Sequence, residues 1–147
     1  MIDLVFKNYT TPRKTSSRGR QKAPGRKFFE KILDKSYKIL KLKSNLELSV
    51  NLVGEVKIKQ LNKKYRNKNK PTDVLSFPLG DGSGDIFICL SIAKKEAKSE
   101  NISIEAKFSQ LTVHGFLHLQ GYDHEKSKKD AEKMFGVESK ILNTLKS

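Results

Sequence analysis

The apolar positions along this chain change period several times, and each change marks an element. Residues 1–6 read as a short strand. Phe29, Ile32, Leu33, Tyr37 and Leu40 recur at helical spacing, which predicts an amphipathic helix over residues 27–42. Leu46, Leu48, Val50 and Leu52 then alternate with Glu47, Ser49 and Asn51, the pattern of a strand with one buried face. Gly54 breaks it. Ile58, Leu61 and Tyr65, at i, i+3 and i+7, predict a short helix whose other side is rich in lysine. Two further strands are expected at Val74–Phe77 and Asp85–Leu90, joined by the turn-rich residues 78–84. Ser91 is placed to cap a helix over 92–100. Another helix should cover about 103–120 and a last one about 127–145, with Ser127 and Asp130 placed like a capping box. No internal repeat is visible. The pattern predicts a single α/β domain (an α+β arrangement) over residues 1–147: a mixed sheet of about four strands packed with about five helices.

Charge changes that picture in one region. The chain has 147 residues and a formal net charge of +14. Residues 7–27 hold eight Lys or Arg and no acid, with two prolines, two glycines and no apolar periodicity, so a mobile basic segment is expected there. A second basic run, Lys57 to Lys70, holds seven more before Pro71. Such a chain usually meets phosphates or anionic lipid; an ordinary solvated surface is the plainer alternative. Membrane is disfavoured, because there is no run of about 18 apolar residues and no signal-peptide pattern. The single cysteine, Cys89, excludes an internal disulfide and sits in an apolar run, as a small core residue would. A reducing compartment, the cytoplasm, is the expected location.

All three histidines fall within eleven residues, as His114, His118 and His124. Four residues apart on a helix, His114 and His118 project from one face and can reach one ion. Gly121 ends that helix and turns the chain so that His124 can join them. This makes the helix a buried, central metal-binding element with one zinc ion per chain. Three imidazoles around zinc leave the fourth position to water, the arrangement of a catalytic site. The spacing also fits the metzincin proteases, except that those place a glutamate directly after the first histidine as general base, and here residue 115 is glycine.

The chain resembles the YbeY family of bacterial endoribonucleases. The resemblance rests on His114-Gly-Phe-Leu-His118-Leu-Gln-Gly-Tyr-Asp-His124, on Tyr65-Arg66 followed by Pro71-Thr-Asp-Val-Leu-Ser-Phe-Pro78, and on Gly84-Asp-Ile86, and runs from about Leu46 to Glu125. It implies a zinc-dependent, single-strand-specific endoribonuclease that works on the ribosome in rRNA maturation, above all at the 16S rRNA 3′ end, and in quality control of defective ribosomes. It implies that His114, His118 and His124 bind the zinc and that Arg66 is needed for activity. Residues 7–27 do not align with the family pattern.

The chemistry of these residues fits that picture. The planar guanidinium of Arg66 suits two phosphate oxygens and can steady charge in a phosphoryl transition state beside His114. Asp123 and Asp85 are candidates to orient a ligand imidazole, although a turn or strand-start role would explain each. Lys63, Lys64, Arg66, Lys68 and Lys70, with Arg18, Arg20 and Arg26 of the first basic segment, are candidate RNA contacts. Thr72, Asp73 and Ser76 look like turn and strand chemistry. A metzincin-like metalloprotease without its usual base, and a non-catalytic ribosome-binding protein with a structural zinc, remain as alternatives; a fourth protein ligand would favour the latter.

Overall fold

The computed structural model describes residues 1–10 and 23–146. In chain order the elements are β1 (Ile2–Asn8), α1 (Arg26–Ile39), β2 (Leu46–Val53), α2 (Glu55–Arg66), β3 (Val74–Gly80), β4 (Ser83–Cys89), α3 (Leu90–Glu100), α4 (Ile104–Leu119) and α5 (Lys128–Leu145). The strands form one mixed sheet in the order β1-β2-β4-β3. β1, β2 and β4 run parallel, with Leu4 opposite Leu48 and Val50 opposite Ile86, while β3 pairs antiparallel with β4. Parallel neighbours need a crossover, and α1 supplies it between β1 and β2.

The alternation in β2 works as the sequence predicts. Leu46, Leu48, Val50 and Leu52, with Ile86 and Ile88 of β4, form the face that meets Phe29 and Leu33 of α1 and Phe108 and Phe116 of α4. The opposite face carries Val53, Leu75 and Cys89 and is covered by Ile58 of α2. Helix α4 lies at the centre because nine of its sixteen residues are buried, too many for one neighbour. Phe108 and Phe116 go to the sheet, and Val113 and Leu117 go to Met134 and Ile141 of α5. Ser103 caps α4 by accepting the Ala106 N–H at 3.0 Å, and Ser127 caps α5 by accepting the Asp130 N–H at 3.0 Å.

Three local expectations are corrected. The hairpin is tighter than the turn-rich 78–84 segment suggested: Gly80 pairs with Ser83, and Asp81 and Gly82, both at positive φ, make a two-residue turn. Both strands therefore extend into that segment. Ser91 does not cap α3; β4 passes into the helix without a loop, so Cys89 is the N-cap and Ser91 falls in the first turn. Tyr65, which shares the apolar spacing of Ile58 and Leu61, is 56% exposed, while Asn62 is buried and donates to the Lys70 carbonyl at 2.9 Å. Finally, Lys7 lies in β1 and Arg26 and Lys27 in α1, so the ends of the basic 7–27 segment are ordered; residues 11–22 lie outside the described residues.

Helix α4 also holds an ion pair. Lys107, its side chain only 8% exposed, meets Glu100 at 2.7 Å and Glu96 at 3.6 Å, which ties α4 to α3. Burial, and next the neighbouring Asp73, hold the Glu96 carboxyl above its ordinary range. Among the described residues no helix is long and apolar enough to cross a membrane.

Candidate metal centre

His114 and His118 stand one turn apart on α4, and His114 meets α5 at Glu138. The helix ends at Gln120, and Gly121, at φ 95°, takes the left-handed conformation that turns the chain back. This brings the His124 ring to 5.3 Å from that of His114 and 5.2 Å from that of His118. One potential ligand atom from each histidine lies within 4.8 Å of the others, and among the described residues no fourth His, Cys, Asp or Glu joins the group.

The rings are held by their other nitrogens. His114 Nδ1 lies 2.6 Å from Glu138 Oε1, and His118 Nδ1 lies 3.0 Å from the Tyr122 carbonyl. A carboxylate and a carbonyl only accept, so each Nδ1 is the donor, and a ring in its neutral form then offers a lone pair at Nε2. Those two Nε2 atoms face each other at 3.0 Å. Two lone pairs at that separation repel one another unless a cation lies between them. Burial holds His118 below the usual imidazole range, and the adjoining His114 and His124 rings add to the effect against the opposing Tyr122 carbonyl and Asp123. It is therefore neutral near neutral pH, the form that binds metal. His124 Nδ1 is buried with no hydrogen-bond partner among the described residues. The donor set thus fits one borderline-soft divalent ion.

Glu138 was not foreseen, and it takes the role expected of Asp123 or Asp85. Asp123 accepts the Glu125 N–H at 2.7 Å within its own loop, and Asp85 accepts the Ser49 hydroxyl at 2.6 Å in the sheet. Neither orients a ligand histidine. Glu138 shares a face of α5 with the buried Met134 and Ile141, at i, i+4 and i+7, and a carboxylate in that apolar stripe was the signal available. Glu138→Ala should weaken metal binding by about 10–100-fold, as loss of such a partner typically does, whereas Glu138→Gln, which can still accept the Nδ1 proton, should lose less. Competition with a chromophoric chelator measures both; unchanged affinity in Glu138→Ala would reduce the residue to packing.

The three histidines line a cavity of about 910 Å³ that is also lined by the end of α2 and by β3. Arg66 reaches it. Its Nη2 donates to the Ser76 carbonyl at 2.5 Å, and its guanidinium lies 5.5 Å from the centre of the Phe77 ring. The Ser76 hydroxyl donates in turn to the Gly115 carbonyl at 2.9 Å, so β3 joins the arginine to the histidine helix. Lys68, Lys70 and Lys126 also line the cavity, whereas Lys63 and Lys64 are exposed elsewhere on α2. Arg26 pairs with Glu30 at 3.5 Å on α1, away from the cavity, and Arg18 and Arg20 lie outside the described residues.

Gly115 explains the missing glutamate. A Cβ there would sit 3.0 Å from Ser76 Oγ and 3.1 Å from Ile86 Cγ2, so position 115 packs closely on the sheet and a side chain there would have to push these neighbours aside.

The comparisons with known proteins agree with this site. The family model described as Endoribonuclease YbeY matches residues 12–146, so the match starts inside the basic segment and runs through α5. An Endoribonuclease YbeY of Oenococcus oeni is 41% identical over 127 residues, covering 79% of this chain and 83% of that protein. One of Persephonella marina is 37% identical over 130 residues, covering 83% and 84%. A solution structure of a Thermotoga maritima protein superposes with a TM-score of 0.63 at 32% identity, covering 97% of this chain and 87% of that one. With a family match over nearly all of its length and the three histidines gathered in one cavity, the chain belongs to the YbeY endoribonuclease family.

Proposed function

We propose that this endoribonuclease cuts single-stranded RNA with one zinc ion held by His114, His118 and His124, and that it acts in the cytoplasm on ribosomal RNA, at the 16S 3′ end, and in ribosome quality control. The observation that carries the zinc reading is the pair of Nε2 atoms facing each other at 3.0 Å with both Nδ1 atoms already engaged. When bound, zinc would polarise a phosphoryl oxygen or lower the pKa of its water toward ~7, which supplies a nucleophile without a glutamate at position 115.

The chain's own residues do the rest. Arg66 spends one donor on Ser76 and keeps its other N–H groups for phosphate oxygens in the cavity that the histidines line. Its contact with the Phe77 ring limits the motion of the guanidinium, so little order has to be bought when charge develops. Lys68, Lys70 and Lys126 put further positive charge on the same walls, suited to a polyanion. Glu138 keeps His114 in the metal-binding tautomer. The absence of a fourth ligand among the described residues supports an open, catalytic site over a structural one.

The test is cleavage of single-stranded and duplex RNA, with and without a chelator, by the wild type and by His114→Ala. Wild-type cleavage of the single strand that disappears with chelator and in the variant is expected. Cleavage that survives both would remove the metal from the reaction.

A further inference from the structure

Tyr65 lies on the packing side of α2, three residues after the buried Asn62 and seven after the buried Ile58, yet 56% of it is exposed. The reason is its position at the end of the helix over β3, the edge strand of the sheet. Its ring is not loose there. It sits against Phe77 at 5.1 Å between centroids in an edge arrangement, and Phe77 sits in the same way against Phe87 at 5.7 Å. Both phenylalanines pack on the core cluster of Val53, Ile58, Leu75 and Cys89. Tyr65 is therefore a half-exposed aromatic ring packed on Phe77, which is itself packed on Phe87.

Its surroundings are cationic. Lys64 Nζ lies over the Tyr65 ring, 5.2 Å from its centre, where a stacking base would displace it, and Arg66 packs on the same Phe77 ring at 5.5 Å. The arginine of the cavity wall and the exposed tyrosine thus flank one phenylalanine. Sequence-tolerant binding of single strands combines these two parts: a positive track for phosphates and a fixed aromatic face on which an unpaired base can stack. A paired base has its faces covered by its neighbours and could not use it.

We infer that Tyr65 is a stacking site for an unpaired nucleobase of the RNA, next to the phosphate held by Arg66, and that it contributes to selection of single strands. This rests on the RNA-cleavage reading above. The hydroxyl is not required, only the ring; Lys64, exposed and on a flexible stem, moves off the ring to the phosphate of the stacked base.

The probe is a labelled, unstructured 2′-O-methyl RNA, intact or with one abasic position moved along it, bound to the metal-loaded protein and followed by anisotropy. Tyr65→Ala should bind the intact strand about tenfold more weakly, and Tyr65→Phe about as well as wild type. One abasic position should weaken wild-type binding by a similar factor, and that loss should not multiply with the loss in Tyr65→Ala. Unchanged binding in Tyr65→Ala would overturn the inference and leave the exposed ring for a protein contact. So would an equal loss in Tyr65→Phe, or losses that multiply at every abasic position. Cleavage of natural single-stranded RNA by the wild type keeps the two readings apart: if it fails, the function itself falls, and if it holds while the Tyr65 results fail, only the stacking site does. Because the ring is more than half exposed, the thermal midpoint of Tyr65→Ala should stay near wild type, which separates lost stacking from lost folding.

Discussion

Replacing His118 with alanine should cut bound metal from about one equivalent to almost none while the protein stays folded. Two of the three nitrogens that converge would remain, but the opposed Nε2 pair that defines the site would be gone. The loss in affinity should exceed the ~10–100-fold expected for the supporting carboxylate Glu138, because a ligand is removed and not merely its orientation. Folding should survive because alanine is the best helix former and the apolar contacts of α4 lie on its other faces, through Phe108, Phe116, Val113 and Leu117. Metal analysis after dialysis, with the thermal midpoint compared against metal-stripped wild type, checks both halves. Full retention of metal would dismantle the three-histidine site, and RNA cleavage should fall with the metal content.

Arg66→Ala should do the reverse, keeping the metal and losing the reaction. Removing one well-placed donor to a developing oxyanion typically costs ~10²–10³ in kcat, or about 2.7–4 kcal/mol of transition-state stabilisation. That is the scale expected if the guanidinium steadies charge on the phosphoryl group. The change should fall mainly on kcat, since Lys68, Lys70 and Lys126 remain to hold the substrate in the ground state. Arg66→Lys should recover only part of the rate, because an ammonium lacks the planar fork that spans two oxygens. The variant also loses the bond to the Ser76 carbonyl, so its thermal midpoint must be measured alongside. An active, metal-loaded Arg66→Ala enzyme would return this residue to the ordinary basic surface of α2.

The parts of the site that were legible in the sequence are those set by local geometry. A four-residue spacing puts two histidines on one helical face, and a glycine past the last turn reverses the chain; both follow from the period of the helix and the freedom of a residue without Cβ. The alternation in β2 and the buried character of α4 follow in the same way. What was hidden depends on tertiary approach. Glu138 is twenty-four residues from His114 in sequence and meets it only because α5 packs along α4. The partner of His118 is a backbone carbonyl, which no side-chain pattern can announce. Tyr65 keeps the helical spacing of Ile58 and Leu61 but overhangs the edge strand, so periodicity gives its face and not its exposure. The longer hairpin was legible in principle, since Asp81-Gly82 is a favoured two-residue turn.

The contact of Gly115 with Ser76 and Ile86 bears on how such a fold can diversify. One substitution at this position would restore the histidine-glutamate pattern of the zinc proteases on paper, but the position belongs to the packing of the helix on the sheet and not to the cavity. The two hydrolase chemistries are separated here by a close contact between a helix and a sheet, so a glutamate at this position would have to displace Ser76 or Ile86. Displacing Ser76 would cost a lineage the bridge between the arginine and the histidines. The close approach that holds the candidate site together therefore also fixes its evolutionary direction.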